Sequence, residues 1–200
     1  MNKRNFLKVA VVGTAATIGT TSLTASAQNV PKTATGPVLL TVSGLIGAGN
    51  RDALDPALDQ MMVKQKINFT KAHVFDFAAL SSMPAVLIRP TLEYDGKQHL
   101  LRGPLLTDVM KASGVRPTDK TSYLLQAVDG YAVLVSASEA AARRFIVATH
   151  LDDRPMTLGG LGPLWAVYEP DKFPDMAAKP VTERFALCPW ATYYIEVKEG

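Results

Sequence analysis

The clearest structural signal in the chain is the stretch YLLQAVDGYAVLV at positions 123–135. Two runs of mostly apolar residues flank the dipeptide Asp129-Gly130. Asp-Gly between strand-forming runs is typical of a two-residue turn, because both central positions of that turn favour a positive φ. The stretch therefore predicts a β-hairpin.

Strand patterns also occur on both sides of this hairpin. Apolar residues alternate or run together over short segments, as they do in half-buried and buried strands. Pro90 is expected to bend or edge one of these strands, since proline cannot donate a ladder hydrogen bond. The other predicted strands cover residues 38–44, 74–77, 86–94, 145–148, 164–168 and 192–197.

Helix signals are fewer and shorter. Asp76 and Ser138 are each placed to accept hydrogen bonds from the first turn of a following helix, as N-cap residues do. Pro104 suits the first position of a helix, and Gly114 suits the residue that ends it. Few helices beside many strands predict an α+β domain with a mixed β-sheet, hairpins and a few short helices. The predicted helices cover residues 50–66, 78–80, 103–113 and 139–144.

Composition predicts one globular domain. The chain has 200 residues, 48% of them hydrophobic and 20% charged, which is enough to bury a core. The single cysteine, Cys188, excludes a disulfide framework and is expected to be a buried, unreactive thiol. The net charge of +3 comes from Lys3, Arg4 and Lys8, because the other 18 basic side chains balance 18 acidic ones. No nucleic-acid partner is therefore expected.

The N-terminus has the organisation of a cleavable secretory signal peptide, predicted over residues 1–27. A basic start precedes an apolar segment over residues 9–23, and Ala25-Ser26-Ala27 fits the site that a signal peptidase cuts. The apolar segment is interrupted by Gly and Thr, so no membrane span is predicted once it is removed.

The basic start itself carries a more specific pattern. The sequence KRNFLK at positions 3–8 resembles the twin-arginine export motif, with Lys in place of the first Arg. Export in the folded state and ordinary unfolded export both stay open. We expect a periplasmic protein with a flexible leader over residues 28–37 and a domain over residues 38–200.

Residue patterns alone identify no catalytic constellation. The glycine-rich segment 159–162 leads into a strand and not a helix, so a tight turn is expected there and not a phosphate site. His73, His99 and His150 are far apart in sequence, and no orienting partner for a catalytic histidine is evident. The pair Asp152-Asp153 predicts a solvated turn.

Five segments nevertheless stand in a recognisable order. They are FDFAALSSMP at 75–84, LRGPLLTDV at 101–109, AVDGYAV at 127–133, RPM at 154–156 followed by GPLWAVY at 162–168, and IEV at 195–197. In this order they resemble the sulfite-oxidase-type molybdopterin-binding domain, and most closely the short exported proteins that carry this domain alone. The resemblance implies an α+β fold whose mixed sheet and hairpins cradle a pyranopterin–molybdenum cofactor, and hence an oxidoreductase.

Two departures from the family's pattern bear on function. Thr91-Leu92-Glu93-Tyr94 fits the stretch in which the family's enzymes supply a cysteine thiolate to molybdenum, and Tyr94 stands where that cysteine would be. A phenol binds a metal only as phenolate, and its ordinary pKa of about 10 makes it a poor substitute. The segment Leu161-Gly162-Pro163-Leu164-Trp165 stands where the family carries a His-Gly and a Pro-Leu-Arg around the pterin and its phosphate. With Trp165 in place of the Arg, a bidentate cation is lost.

Two functions follow from the resemblance. The first is a non-catalytic relative whose cleft binds a small-molecule ligand or a periplasmic or membrane protein partner. The second is a periplasmic molybdopterin-dependent oxidoreductase with an atypical metal shell. The missing thiolate favours the first, so no catalytic or metal-ligating residue is assigned, and molybdopterin enters only through the resemblance. The predicted cleft residues are Arg102 and Arg154 as anion contacts, Trp165 as a stacking surface, and Tyr94, Asp129 and Tyr131 as further lining.

Overall fold

The computed structural model describes residues 34–200. The predicted signal peptide over residues 1–27 and the predicted leader up to residue 33 lie outside the described residues. The described chain contains twelve β-strands and five α-helices, the longest of which has seven residues. The expected combination of a mixed sheet with a few short helices is confirmed.

The elements follow one another along the chain as short segments. The strands are β1 (Val38–Gly44), β2 (Arg51–Asp52), β3 (Lys71–Asp76), β4 (Ala85–Ile88), β5 (Leu101–Pro104), β6 (Thr121–Ala127), β7 (Ala132–Ser136), β8 (Ile146–Ala148), β9 (His150–Leu151), β10 (Arg154–Pro155), β11 (Trp165–Val167) and β12 (Thr192–Glu199). The helices are α1 (Gln60–Lys64), α2 (Phe77–Ser81), α3 (Leu106–Ala112), α4 (Ala137–Ala142) and α5 (Pro174–Ala177).

The strands form three sheets. The largest has six strands in the order β2-β3-β1-β12-β6-β7, and β1 runs parallel to β12 while the other neighbours are antiparallel. A second, antiparallel sheet has the order β10-β9-β5-β4, and β8 pairs with β11 in a third. The predicted hairpin is confirmed as β6 and β7, with Leu125 opposite Val133 and Gly130 at a φ of 91°.

Apolar side chains from all three sheets share the main core. Val42 of β1, Leu125 of β6 and Ile195 of β12 are completely buried, and they belong to the same cluster as Leu101 of β5 and Ala166 of β11. Burial of this kind stabilises a fold by about 1.5–3 kcal/mol for each large aliphatic side chain. The three sheets are therefore held by one continuous core.

Asp76 is the N-cap of α2, as predicted, and it also makes a contact that the sequence does not predict. Its Oδ1 accepts a hydrogen bond from the Ala79 N–H at 2.7 Å, as the predicted N-cap of α2. Its Oδ2 accepts from the N–H groups of Thr35 and Gly36, both at 2.9 Å. These hydrogen bonds lower the pKa of the Asp76 carboxyl. One carboxylate thus joins α2 to the segment that precedes β1.

The predicted start of a helix at Gly103-Pro104 is wrong. Both residues end strand β5, and α3 begins at Leu106. A Cβ atom built on Gly103 would lie 2.0 Å from the carbonyl oxygen of Val147, because β5 passes directly beside β8. Glycine is therefore required here by the close approach of two backbones. The predicted end of α3 is correct, since Gly114 follows the C-cap at a φ of 76°.

Helix α4 begins earlier than the sequence suggested. Ser136, not Ser138, is its N-cap, and the Ser136 Oγ accepts a hydrogen bond from the Glu139 N–H at 3.0 Å. Both serines are cap residues by type, and the one that ends strand β7 in extended conformation takes the position. Ser138 instead lies inside the first turn and hydrogen-bonds to the Ser136 hydroxyl.

Two predicted elements are shorter than expected. Only Gln60–Lys64 of the predicted helix over residues 50–66 is helical, because Arg51–Asp52 pairs as β2 with the edge of β3. The predicted strand over residues 86–94 ends at Ile88. The chain after Pro90 turns back on itself, since the Leu92 N–H donates to the Lys97 carbonyl at 2.9 Å.

The close approach at Gly103 makes a stability prediction. We expect Gly103→Ala to lower the free energy of unfolding by about 3 kcal/mol. The added methyl group would clash with backbone atoms, which cannot move aside as a flexible side chain can. Urea unfolding at neutral pH measures this. The matched control is Gly160→Ala, whose Cβ would have only ordinary contacts with Thr157 and should change the free energy by less than about 0.5 kcal/mol. Equal stability of the two variants would contradict the close approach.

Candidate functional site

Three loops and one strand enclose a cavity of about 310 Å³. Its walls come from the loop after β4, the tip of the β6–β7 hairpin and the segment that precedes β12, and its inner wall is Trp165 of β11. We call this cavity the aromatic cleft. The residues that line it are Glu93, Tyr94, Ala127, Asp129, Tyr131, Trp165, Thr182, Phe185, Ala186, Cys188, Pro189 and Trp190.

Trp165 is fixed in the inner wall. Its side chain is buried, and its backbone pairs with Ala148 on one side and forms an isolated bridge with Trp190 on the other. The indole Nε1–H donates a hydrogen bond to the Cys188 carbonyl at 2.8 Å, and the ring packs against Phe185 with 5.6 Å between the ring centres. The indole N–H is therefore already used by the protein.

The hairpin tip is fixed in a similar way. The Asp129 Oδ1 accepts a hydrogen bond from the Tyr131 N–H at 2.9 Å, which closes the predicted turn. The Tyr131 hydroxyl donates to the Ala186 carbonyl at 2.8 Å. This bond ties the hairpin to the segment before β12, so two walls of the cleft hold each other in place.

Asp171 connects the loop after β4, which carries Tyr94 and is called the Tyr94 loop below, to the segment that precedes β12. Its Oδ2 accepts a hydrogen bond from the Thr91 N–H at 2.7 Å, and its Oδ1 pairs with the Arg184 guanidinium at 2.7 Å. Arg184 also donates to the carbonyls of Ala177 and Lys179. Hydrogen bonds to charged groups contribute more than neutral ones, so this cluster sets the position of the third wall.

His99 closes the far end of the Tyr94 loop. Its Nδ1 lies 2.7 Å from Asp152 and its Nε2 lies 3.0 Å from Asp95. The two carboxylates raise the pKa of His99, and His99 lowers the pKa of both Asp152 and Asp95. The sequence shows no evident orienting partner for His99, but the structure supplies one, because the turn at Asp152-Asp153 brings a carboxylate that is distant in sequence to the ring.

The structure brings together four of the six predicted cleft residues. Tyr94, Asp129, Tyr131 and Trp165 all line the aromatic cleft. The two arginines predicted as anion contacts are elsewhere. Arg102 lies on β5 in the four-stranded sheet, where its backbone pairs with Leu87 and His150, and the exposed Arg154 on β10 lines a separate cavity of about 500 Å³.

Charge and acidity in the cleft follow from this arrangement. Glu93 and Asp129 line it, and among the residues that the structure describes its lining holds no Lys, Arg or His. Burial and the neighbouring Glu93 carboxylate raise the pKa of Tyr94 to about 12. The phenol form of Tyr94 is therefore favoured over the phenolate at neutral pH.

Several cleft residues carry no functional signal of their own in the sequence. Glu93 lies in the stretch that fits the family's ligand segment but has no assigned role, and neither Phe185 nor Trp190 belongs to a motif. The one available signal was the aromatic spacing in FALCPW at 185–190. Cys188 itself is buried as predicted, and burial raises the pKa of its thiol well above the usual range.

The donor set does not fit a molybdenum cofactor. Molybdopterin carries a phosphate, and the molybdenum centre that the resemblance implies takes a thiolate. The aromatic cleft offers a phenol at Tyr94, a thiol at Cys188 held in its protonated form, and two carboxylates with no balancing base among the described residues. An anionic ligand in this cleft meets like charge, which is unfavourable.

Two further features bear on the class of site. Within residues 34–200, no group of three or more His, Cys, Asp or Glu side chains is arranged to hold a metal ion. No helix in the same part of the chain is long and apolar enough to cross a membrane.

Comparison with known proteins adds a fold relationship. No protein-family model matches the chain, and no curated protein sequence matches it. Among solved structures, the chain is similar to the sulfane dehydrogenase SoxCD from Paracoccus pantotrophus, with 13% sequence identity and a TM-score of 0.51. The match covers 80% of this chain and 38% of that one, so this chain spans well under half the length of that structure. The likeness supports a distant molybdopterin-oxidoreductase-like fold.

The His99 cluster predicts a pH dependence of stability. A raised pKa means that the stabilisation is complete below the unfolded pKa of 6.5 and is lost as the pH rises through the higher folded value. The lowered pKa values of Asp95 and Asp152 give stabilisation that is complete above 3.8 and is lost as the pH falls through their folded values. We expect the contribution of this cluster to the free energy of unfolding to be constant between these limits and to decline above them.

The variant His99→Asn isolates this contribution. Urea unfolding across about pH 6–9 should show a flatter decline for the variant than for the wild type. His73 and His150 have lowered pKa values and act in the opposite sense, so the difference between the two proteins is the quantity to compare. Parallel curves would contradict the assignment to His99.

The Asp171 cluster predicts a loosening of the cleft. We expect Asp171→Ala to lower the free energy of unfolding by about 2 kcal/mol, because a largely buried Arg184 loses its charged partner. Amide hydrogen exchange should show lost protection at Thr91. Asp175→Ala is the matched control, since the Asp175 carboxylate is exposed and Arg143 keeps Glu139 as a second partner, so both measurements should stay near wild type. Unchanged exchange at Thr91 in Asp171→Ala would contradict the link.

Proposed function

We propose that this protein is an exported, non-catalytic binding module, which has a fold of the sulfite-oxidase-type molybdopterin-binding class and holds a small molecule in the aromatic cleft. The observation that carries the proposal is the environment of Tyr94. By the resemblance, this residue stands where the family's enzymes place a cysteine thiolate, and burial together with the neighbouring Glu93 carboxylate raises the pKa of its phenol to about 12.

The remaining thiol does not restore a metal ligand. Cys188 is 3% exposed, and its pKa is raised by burial although the Tyr168 backbone N–H lowers it in part. A metal ligand must be deprotonated, so a thiol in this setting binds a metal weakly. The cleft therefore supports non-covalent binding of a ligand better than redox chemistry.

The second candidate is a periplasmic molybdopterin-dependent oxidoreductase with an atypical metal shell. The similarity of fold to the sulfane dehydrogenase SoxCD favours it. A fold hosts many functions, however, and the chemistry depends on the residues of the site. The acidic lining of the aromatic cleft favours the binding module.

Location and partners belong to the same proposal. The basic start, apolar segment and Ala25-Ser26-Ala27 site support export to the periplasm. Besides its small-molecule ligand, such a module would bind a periplasmic or membrane protein partner. Proteolytic mapping of the mature N-terminus in a periplasmic extract tests the location, and Gln28 is the expected first residue.

Metal and pterin analysis of the exported protein tests the function. We expect protein purified from the native periplasm to contain far less than one equivalent of molybdenum and no fluorescent pterin after oxidation. Tyr94→Cys is the sharp variant, because it returns the family's ligand to a cleft that still lacks a cation. It should remain free of molybdenum as well. Stoichiometric molybdenum in the wild-type protein would overturn the binding-module proposal.

A further inference from the structure

We propose that the aromatic cleft recognises a small organic cation, and specifically a quaternary ammonium group. This inference rests on the proposed function as a binding module and names the ligand class for the same cavity. Three features of the cleft support it: the exposure of its aromatic rings, the charge of its lining and the hydrogen bonds that the rings already make.

Exposed aromatic side chains converge on this one cavity. Tyr94 is 59% exposed, Tyr131 50% and Trp190 39%, and every other Phe, Tyr and Trp within residues 34–200 is less exposed than these three. All three line the aromatic cleft. Exposed apolar surface gathered in one place marks a binding site, whereas scattered exposed residues do not. Phe185 and Trp165 extend the same apolar lining inward.

The charge of the lining selects a cation. Glu93 reaches the cleft from the loop after β4, and Asp129 reaches it from the hairpin tip. The described lining supplies no basic side chain to neutralise either carboxylate. Aromatic faces also attract cations through the negative potential above the ring. Both kinds of group thus favour the same sign of ligand charge.

The hydrogen bonds already made within the cleft narrow the class of ligand further. The Trp165 indole N–H donates to the Cys188 carbonyl, and the Tyr131 hydroxyl donates to the Ala186 carbonyl. These two donors are occupied, so neither ring offers a hydrogen-bond donor to a ligand, and both rings contribute apolar surface to the lining. A quaternary ammonium group needs no hydrogen-bond partner and makes only methyl and charge contacts. It therefore fits such a surface better than an anion or a neutral polar molecule.

Size and rigidity agree with a small ligand. The cavity of about 310 Å³ lies at the lower end of the range for small-molecule sites. The bonds that fix Tyr131 and Trp165 also reduce the ordering cost of binding, because the rings are already in place.

A titration with matched probes tests the inference. The probes are choline and its neutral carbon isostere 3,3-dimethylbutan-1-ol, added to the full chain purified from the periplasm and followed by calorimetry and tryptophan fluorescence. We expect choline to bind saturably, and the isostere to bind about tenfold more weakly because it lacks the charge. Added salt should weaken choline binding and leave the isostere unaffected.

Variants connect the binding to the lining. Glu93→Gln and Asp129→Asn keep the shape of the side chain and should each weaken choline binding by at least about threefold. Trp190→Ala should weaken it by about tenfold. The control Asp119→Asn removes a carboxylate that does not line the cleft and should change nothing. Circular dichroism confirms that each variant folds.

The outcomes separate this inference from the proposed function. Equal binding of choline and its isostere would overturn the cation class and leave a small-molecule module. Absence of choline binding would also overturn the cation class. Stoichiometric molybdenum in the same preparation would overturn the binding module itself. Choline binding that is lost in Trp190→Ala and weakened in both carboxylate variants supports the inference.

Discussion

The parallel pairing of β1 with β12 holds the first and last strands of the domain side by side at the centre of the six-stranded sheet. Val42 lies opposite Ile195 in this pair, and both side chains are completely buried in the main core. On one side β1 carries β3, and on the other β12 carries the β6–β7 hairpin. Every other pairing in the sheet is reached through one of these two strands, so the sheet cannot form without them.

The six-stranded sheet forms only one wall of the aromatic cleft. That wall is the tip of the β6–β7 hairpin, and the other two walls are irregular segments that lie outside the sheets. Buried or partly buried backbone must find partners elsewhere. Backbone groups within each segment supply part of them, and side chains link one segment to another, with Asp171 accepting from Thr91 and Tyr131 donating to Ala186. The shape of the cleft is thus set by a few side-chain contacts between loops that are far apart in sequence.

The sequence predicted the elements whose signals are local. The Asp129-Gly130 turn, the N-cap at Asp76 and the alternating strands at 38–44 and 192–197 are confirmed, because each depends on neighbouring residues alone. Gly103-Pro104 was misread because both residues suit a helix start, and only the distant Val147 backbone shows why glycine is needed.

The site divides in the same way. Tyr94, Asp129, Tyr131 and Trp165 meet in one cavity, as their places in the motif order suggested. Arg102 and Arg154 lie on β5 and β10 of the four-stranded sheet, and neither lines the cavity. No sequence pattern shows whether either arginine lies in the cleft, because its distance from the cleft depends on how the sheets pack.

The burial of Cys188 has a practical consequence for studying the protein. The sequence contains no second cysteine, so a thiol-specific reagent has one place to react. That place is closed while the core is packed, because the side chain is almost completely covered. The speed of labelling under native conditions therefore reports how often the interior opens, without any engineered probe. A bound ligand that holds the surrounding walls together would slow the labelling.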